Sequence, residues 1–461
     1  MNVKQFEIPG LSQYAYVISS EGEAIVIDPI RDYNRYLEYA EKQGLTIRYV
    51  TETHIHADFA SGAAALATAT GAELVLSGHD EGELYRYAMP HRTLRDGEEL
   101  SLGKIKVRAI HTPGHTPEHL SFLLLGEGTD TFEPTALFSG DFLFAGSLGR
   151  PDLLGGGETQ RLARELYRSV HERIAMLPDE VRVCPGHGAG SLCGSGMSDQ
   201  TESTLGEERR TQHLFRLDEN EFVREILASA PPLPTYYPRM KALNSSGAVD
   251  VHEVASPKPL SPGQFNLHMK NGHVTLLDLR RPEAFGGAHI PNAINIGAGQ
   301  NLSLWAGWLL DPETQILLIG DSGTIEEARL SLLRVGLDCV EGYLAKGFPT
   351  WIESGLPIAR TRQLSTQEMH DRASSVEVVD VRSDQEWKAG HIAGAKHIML
   401  GDLTKRLQEL QSSLPLYVAC GSGYRSNIAA SLLQQAGFTD VSSMAGGMMA
   451  WNAQHLPLGD V

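Results

Sequence analysis

The sequence predicts a layered α/β protein in three parts, and three observations carry that expectation. Through about residue 200, short apolar runs that read as strands alternate with stretches rich in Gly, His and Asp and with segments of helical periodicity. In the second half, two sets of landmarks recur 102 residues apart, the mark of an internal repeat. The length of 461 residues fits. At roughly 150 residues per domain it supplies about three, each able to bury a core.

In the first part the strand-like runs are Ala24–Ile27, Ile47–Thr51, Leu74–Leu76, Ile105–Ile110, Leu120–Leu125, Ala136–Phe138 and Val181–Cys184. Helical periodicity runs through Tyr33–Gln43 and Gln160–Leu177. A polar stretch, Met197–Arg210, leads to a helix expected over Val223–Ala230. Pro231, Pro232 and Pro234 must end it, because proline lacks the N–H and fixes φ. Ser245 to Pro262 is poor in aromatics and rich in Ser, Pro and Gly, and reads as a linker.

In the repeat, Asp278-Leu279-Arg280 and His289 are matched by Asp380-Val381-Arg382 and His391, 102 residues later. Each copy then has a second strand, Ile316–Ile319 or Leu416–Ala419, and a helix, Ile325–Val335 or Ser426–Ala436. Strands alternating with helices favour a parallel sheet covered on both faces. The expected division is 1–255 for the first domain with its extension and linker, then 262–360 and 363–461 for the two copies.

The formal charge of −18 opposes attraction to a phosphate backbone, so nucleic acid is not an expected partner. No run approaches the ~18 apolar residues of a spanning helix, and no membrane association is expected. Residues 1–9 show no basic segment followed by an apolar stretch, which makes the cytoplasm the expected location. The four cysteines, Cys184, Cys193, Cys339 and Cys420, are too scattered for a disulfide framework, so a thiol that matters is expected to be reduced and reactive.

Potential metal ligands gather at strand ends: His54, His56 and Asp58 in Thr-His-Ile-His-Ala-Asp, His115 in Thr-Pro-Gly-His-Thr, Asp141 in Ser-Gly-Asp and His187 in Pro-Gly-His. Strand ends are where open α/β sheets collect ligands. A single His on such a turn would more often cap or pack. Four convergent sets point to a metal centre.

These motifs resemble the metallo-β-lactamase fold superfamily over roughly residues 1–200, which implies an αββα sandwich. In its dinuclear hydrolases a further histidine follows the Asp, but here that position is Phe59, which cannot ligate. One metal is the more economical expectation. A centre of His54, His115 and Asp141, two imidazoles and a carboxylate with open positions, suits non-haem Fe(II), one per chain. It is also the ligand set of the persulfide dioxygenases, the branch this domain resembles most, which oxidise the outer sulfur of R–S–SH to sulfite. The resemblance then makes His56, Asp58 and His187 outer residues that orient ligands, or an alternative metal site. It makes Arg150 a contact for the thiol carrier, since arginine recognises carboxylates bidentately. Cys193, six residues after His187, is a possible accessory thiol.

The second chemical feature is Cys420-Gly421-Ser422-Gly423-Tyr424-Arg425-Ser426, between a strand and a helix. Two glycines let the loop curl so that backbone N–H groups face the sulfur, and the helix N-terminus adds positive potential. With Arg425 closing the loop, the setting favours a thiolate or persulfide anion. Together with the Asp380–Arg382, His391 and Gly446–Trp451 motifs it resembles the rhodanese domain, whose fold is α/β with a parallel sheet. The resemblance implies that Cys420 carries sulfane sulfur and passes it to sulfite or a thiol. The first copy reads Gly320-Asp321-Ser322-Gly323-Thr324 at the equivalent place, with no cysteine, and is expected to be silent. Its own Cys339 is expected in the following strand.

The combined expectation is an iron persulfide dioxygenase coupled to a sulfurtransferase, working in sulfide detoxification. It would take a thiol persulfide of glutathione, coenzyme A or a similar small thiol, with dioxygen and sulfite, and yield thiosulfate through a Cys420 persulfide. The alternative is a zinc hydrolase of glutathione thioesters with an appended rhodanese. A symmetric homo-oligomer is expected for an acidic multi-domain enzyme of this kind.

Overall fold

A computed structural model describes residues 1–127, 132–411 and 413–459. It divides into two compact units, Met1–Val254 with Leu333–Gly336, and Ala255–Leu332 with Leu337–Val461.

The first unit is built on two six-stranded sheets. In one, the strands Asn2–Ile8, Gln13–Ser20, Glu23–Ile27, Thr46–Thr51, Glu73–Ser77 and Arg92–Leu94 lie in sequence order, with two antiparallel pairings followed by three parallel ones. The other runs from Glu99–Leu102 through Ile105–His111, Leu120–Glu127, Phe132–Gly140 and Arg182–Pro185 to Ser203–Thr204, with only the Phe132–Gly140 and Arg182–Pro185 pair parallel. The strand Leu120–Glu127 shows why its sequence is apolar at almost every position. Phe122 and Leu124 join Ile18, Ile25 and Ile27 in the core between the sheets. Leu123 and Leu125 face the other way, against Leu166, Phe222 and Ile226 of the helices Gly156–Arg168 and Glu219–Ser229. A strand buried on both faces has no solvent side to mark with polar residues.

The helix expected over Gln160–Leu177 ends sooner. Gly156–Arg168 is α-helical and passes into a π-helical turn, Ser169–Arg173, where Ser169 Oγ donates to Pro113 O at 2.7 Å. The expected linker is also shorter. Tyr237–Ser246 is a helix, and Lys258–Leu260 is a strand paired with Gly342–Leu344. That strand lies at the sheet edge, where Pro259 needs no ladder donor.

The second unit contains the repeat as two five-stranded, all-parallel sheets of identical order. The duplication extends to single contacts. Arg280 and Arg382 each grip Asp278 and Asp380 two residues back, and the buried Trp351 and Trp451 each donate Nε1–H to the carbonyl six residues on, Pro357 at 2.9 Å and Pro457 at 3.2 Å. Cys339 is exposed and sits one residue ahead of the strand Val340–Leu344, not within it. Among the described residues no helix is long and apolar enough to cross a membrane.

Candidate functional site

Four strands of the first unit deliver their following loops to one buried place. Thr46–Thr51 leads to His54, Ile105–His111 to His115, Phe132–Gly140 to Asp141, and Arg182–Pro185 to His187. All four side chains are at most 1% exposed. Gly140 permits the approach of the third loop, because its φ is +52° and a Cβ there would meet Thr53 Oγ1 and His119 Nε2 at 2.6 Å.

His54, His115 and Asp141 come together with donor atoms in ligand range of one another. His115 Nε2 is 3.5 Å and His54 Nε2 3.9 Å from Asp141 Oδ2. None of these three buried atoms has a hydrogen-bond partner. Orphaned polar atoms that converge in a protein interior are costly unless a cation is meant to satisfy them. The other ring nitrogens are fixed so as to present the free ones. His115 Nδ1–H donates to the Arg150 carbonyl at 2.9 Å. Thr53 Oγ1 donates to Asp28 Oδ2 at 2.9 Å, so it is left to accept from His54 Nδ1–H, also at 2.9 Å. Burial and neighbouring histidines hold His54 and His115 well below the usual imidazole range. Both are therefore neutral, with Nε2 lone pairs available to a metal. The donor set fits a divalent metal, and the geometry leaves its identity open.

Asp28, which the sequence analysis missed, braces this corner. It lies at the end of the strand Glu23–Ile27 with φ +53°, a conformation a non-glycine residue adopts only under constraint. Its carboxylate accepts from Thr53 N at 2.7 Å and from His56 Nε2 at 3.0 Å. The strand-end rule that found the other residues would have flagged it. His119 was missed as well. It is four residues beyond His115, fully buried, held by Thr112 Oγ1 at 2.9 Å and stacked on the His54 ring at 5.2 Å.

His187 lies between two carboxylates. Nδ1 is 2.7 Å from Asp141 Oδ1 and Nε2 2.8 Å from Asp58 Oδ2. Burial would lower its pKa, but the two carboxylates outweigh that and hold it well above the usual range. Both ring nitrogens lie within hydrogen-bond distance of a carboxylate oxygen. Asp58, His187 and Cys193 also form a buried cluster within ligand range. His187 contacts Asp141, and the buried ring of Phe59 lies 4.3 Å from that of His56. Cys193 is 1% exposed, and burial with Asp58 and Asp141 nearby pushes its thiol well up, so it stays protonated.

Arg150, expected to contact a thiol carrier, is turned into the protein. It is 2% exposed, and its guanidinium is held by Asp152 at 2.6 and 2.8 Å and by the carbonyls of Leu192 and Pro232. The edge formed by Nε and Nη2 is taken by Asp152. Its backbone carbonyl, which orients His115, is the part that serves the site.

A further set comes from the helix Tyr237–Ser246, assigned no role from sequence. Asn244 Nδ2 donates to the carbonyls of His56 at 2.8 Å and Phe59 at 2.7 Å, and its Oδ1 accepts from Ser61 N at 2.9 Å. Lys241 Nζ donates to Ile55 O at 2.8 Å, and Tyr236 Oη to Asp58 O at 3.1 Å. Side chains of this helix thus satisfy the backbone of the loop that carries His54, His56 and Asp58.

In the second unit, Cys420 closes the strand Leu416–Ala419 and is fully buried. Gly423 N donates to its Sγ at 3.1 Å, and Ser426 Oγ lies 3.4 Å away. Gly423, with φ +101°, caps the helix Tyr424–Gln435, which aims its N-terminus at the sulfur. Gly421 and Ser422 complete the curl, and Met448 N and Met449 N fasten it through the carbonyls of Cys420 and Gly421. Arg425 does not reach the sulfur freely. It is held by Glu386 at 2.7 and 2.6 Å. Burial alone would raise Glu386, but Arg425 and the Ser383 cap hold it at about 2. In the first copy the loop after Ile319 is closed by Thr324 Oγ1 donating to Asp321 O at 2.8 Å and has no sulfur.

Residues 8–187 match the metallo-β-lactamase superfamily, and residues 261–354 and 365–454 match the rhodanese-like domain. A crystal structure of a metallo-β-lactamase from Staphylococcus aureus is similar at 38% identity and a TM-score of 0.68, covering 75% of this chain and 99% of that one. The mitochondrial persulfide dioxygenase of Bos taurus is 29% identical over 226 residues, 48% of this chain and 79% of that protein. A hydroxyacylglutathione hydrolase of Polaromonas is 36% identical over 175 residues, 38% of this chain and 60% of that protein. A β-lactamase hydrolase-like protein of Xylella fastidiosa is 31% identical over 262 residues, 50% of this chain, and the match spans little more than half that protein's length, 57%.

Proposed function

Because the chain belongs to the metallo-β-lactamase superfamily, with two rhodanese-like domains after its metal-site domain, we propose that it oxidises thiol persulfides and transfers their sulfur. The observation that carries this is the pairing of two sites. One has three unpartnered donors, His54 Nε2, His115 Nε2 and Asp141 Oδ2, and the other is the Cys420 loop.

His54, His115 and Asp141 would hold one Fe(II), a set of two imidazoles and one carboxylate with open positions. When bound, iron supplies the oxidation of a persulfide's outer sulfur by dioxygen: R–S–SH + O2 + H2O gives R–SH + SO3²⁻ + 2 H⁺. The chain's own residues prepare the site. Thr53 and the Arg150 carbonyl fix the two imidazole tautomers, and His187 engages Asp141 Oδ1, which leaves Oδ2 free to ligate. Depth excludes bulk water, since all three ligands are fully buried. Cys420 then takes sulfane sulfur from a second persulfide, in a loop whose N–H groups suit an anionic sulfur, and passes it to sulfite to give thiosulfate. The proposed partners are a small thiol persulfide, dioxygen and sulfite.

The reading as a zinc thioesterase draws on the similarity to the Polaromonas hydrolase. Phe59 weighs against it, because a phenyl ring stands where the dinuclear hydrolases have a further histidine ligand.

The test is metal analysis and oxygen uptake on anaerobically purified protein. About one iron per chain and oxygen consumption with a thiol persulfide are expected. Cys420→Ser is expected to stop thiosulfate formation and leave sulfite production. Two zinc ions with rapid thioester hydrolysis and no oxygen uptake would replace this reading with the hydrolase.

A further inference from the structure

The first unit is not closed by residues 1–254 alone. It takes in Leu333–Gly336, four residues that in sequence lie inside the cysteine-free copy, within 261–354. We propose that Arg334 is a positioning residue for the metal centre, its carbonyl and its pairing with Asp32 together setting where the loop that carries His54, His56 and Asp58 ends. The proposal rests on the metal-site reading above.

That loop is held at its start by the Asp28 carboxylate on Thr53 N, and along its middle by Lys241 and Asn244. Its far end depends on Arg334. Ala60, two residues past Asp58, is fully buried and has both backbone groups engaged. Its N–H donates to Arg334 O at 2.6 Å, and its carbonyl accepts from Arg31 N at 3.1 Å. Without Arg334 O the Ala60 amide is a donor stranded in the interior, which is costly. The loop then has to move to satisfy it, and Asp58 and the histidines before it move too.

The side chain of Arg334 fixes its carbonyl. Nε and Nη2 donate to Asp32 Oδ1 at 2.8 Å and Oδ2 at 2.7 Å, a two-pronged pair whose side chains are 5% and 11% exposed. Asp32 also accepts from Arg35 Nη2 at 2.7 Å. Burial would raise Asp32, but the two arginines outweigh it and hold its carboxyl below the usual range. Removing one partner of such a pair strands the other charge, so the pair pins the backbone on both sides.

The neighbours of Arg334 are gripped as well. Carbonyls at a helix end lack intrahelical partners, and Leu333 ends the helix Ile325–Leu333. Leu333 O accepts from Arg31 Nη1 at 3.1 Å, and the carbonyls of Val335 and Gly336 accept from Arg239 Nη2 at 3.0 Å and Nη1 at 2.9 Å. Arg239 belongs to the helix Tyr237–Ser246, which also supplies Lys241 and Asn244 to the metal loop. Segment and loop are thus tied to one helix.

The repeat provides an internal comparison. Gly336 corresponds to Gly437, 101 residues on, and Arg334 to Gln435. The two turns are alike: both glycines have positive φ, +68° and +96°, and Gly336 N and Gly437 N each donate to the carbonyl three residues back. Their surroundings differ. Gln435, Ala436 and Gly437 are exposed, and a Cβ on Gly437 would meet nothing within 4 Å. Arg334 and Val335 are buried, and a Cβ on Gly336 would lie 2.8 Å from Arg239 Nη1. A turn left to solvent in one copy is built into the metal-site unit in the other.

The test uses the full-length chain, stripped of metal and loaded with Co(II), whose d–d absorption reports ligand geometry. Competition with a chelator gives the Co(II) affinity, and sulfur loading of Cys420, read by mass, checks the other unit. Arg334→Ala is expected to weaken Co(II) binding about tenfold, the lower end for an outer partner of a metal site, and to shift the d–d bands. Arg334→Lys keeps the charge without the two-pronged geometry and is expected to fall between Arg334→Ala and wild type. Gln435→Ala, the counterpart in the second copy, is expected to match wild type in affinity and spectrum. The proposal is overturned if Arg334→Ala binds Co(II) with wild-type affinity and an unchanged spectrum, whatever its melting temperature, since the pair then serves stability alone. An equal loss in Gln435→Ala overturns it too. If Arg334→Ala does not fold, Arg334→Lys carries the comparison, and wild-type affinity and spectrum there overturn the proposal. If the wild-type chain takes up no Co(II), the metal-site reading itself fails, an outcome recorded before any variant is compared.

Discussion

Replacing Asn244 with alanine tests whether the helix Tyr237–Ser246 holds the metal loop in place. The change removes two hydrogen bonds to the carbonyls of His56 and Phe59 and one from Ser61 N, all at a residue 1% exposed. Orphaning three buried backbone groups at the low end of ~1 kcal/mol each amounts to about 3 kcal/mol. Part of this falls equally on the metal-free and metal-bound forms. The part that acts through the placement of His54 appears in metal affinity, and removal of an outer-shell partner typically weakens binding by ~10–100-fold, or about 1.4–2.8 kcal/mol. The assay is equilibrium competition for Fe(II) or Zn(II) with a chelator of known affinity. Cys420-dependent sulfur transfer in the other unit serves as an internal control for folding. Asn244→Asp, equal in size but with acceptors facing two carbonyls, is expected to lose at least as much. Metal affinity within a factor of about two of wild type, against the 10–100-fold expected of an outer-shell partner, would refute the argument that this helix positions the ligands.

Other outcomes follow from the same geometry. Gly140→Ala places a methyl 2.6 Å from Thr53 Oγ1 and His119 Nε2 at a φ of +52°, so it is expected to abolish metal binding, read as loss of stoichiometric metal after dialysis. His79 stacks on His111 at 3.8 Å, and burial with the charges of His111 and Arg95 lowers it from 6.5 to about 4. The folded pKa is the depressed one, so its contribution to stability is full above pH 6.5 and is lost as pH falls toward 4. Denaturant unfolding across that window is expected to show less pH dependence in His79→Gln than in wild type; equal slopes would exclude a role for this ring.

What could be read from the sequence was whatever repeats or sits at a strand end. The shared 102-residue offset exposed the duplication, because Asp278–Arg280 and Asp380–Arg382 are bound by covalent proximity as well as by charge. His54, His115, Asp141 and His187 could be found because each follows an apolar run and a turn. The helix Tyr237–Ser246 escaped because it carries its polar residues inward. Lys241, Asn244 and Ser245 are buried, so the pattern that normally marks a surface face is inverted and no amphipathic period remains. The partners of Arg150 were hidden for a related reason: its neighbours in sequence do not reveal that Leu192 and Pro232 offer it carbonyls. Asp28 stood at a strand end and was open to the same rule, whereas His119, which packs on a ligand, has no motif of its own.

The helix that follows the Cys420 loop is buried from Ser426 to Leu433, with no solvent face along that stretch. Because Asn427 and Ser431 bind Asn295, the first copy cannot be deleted without stranding buried polar groups on the second. A copy without the loop cysteine is thus still needed, as the surface its neighbour closes against.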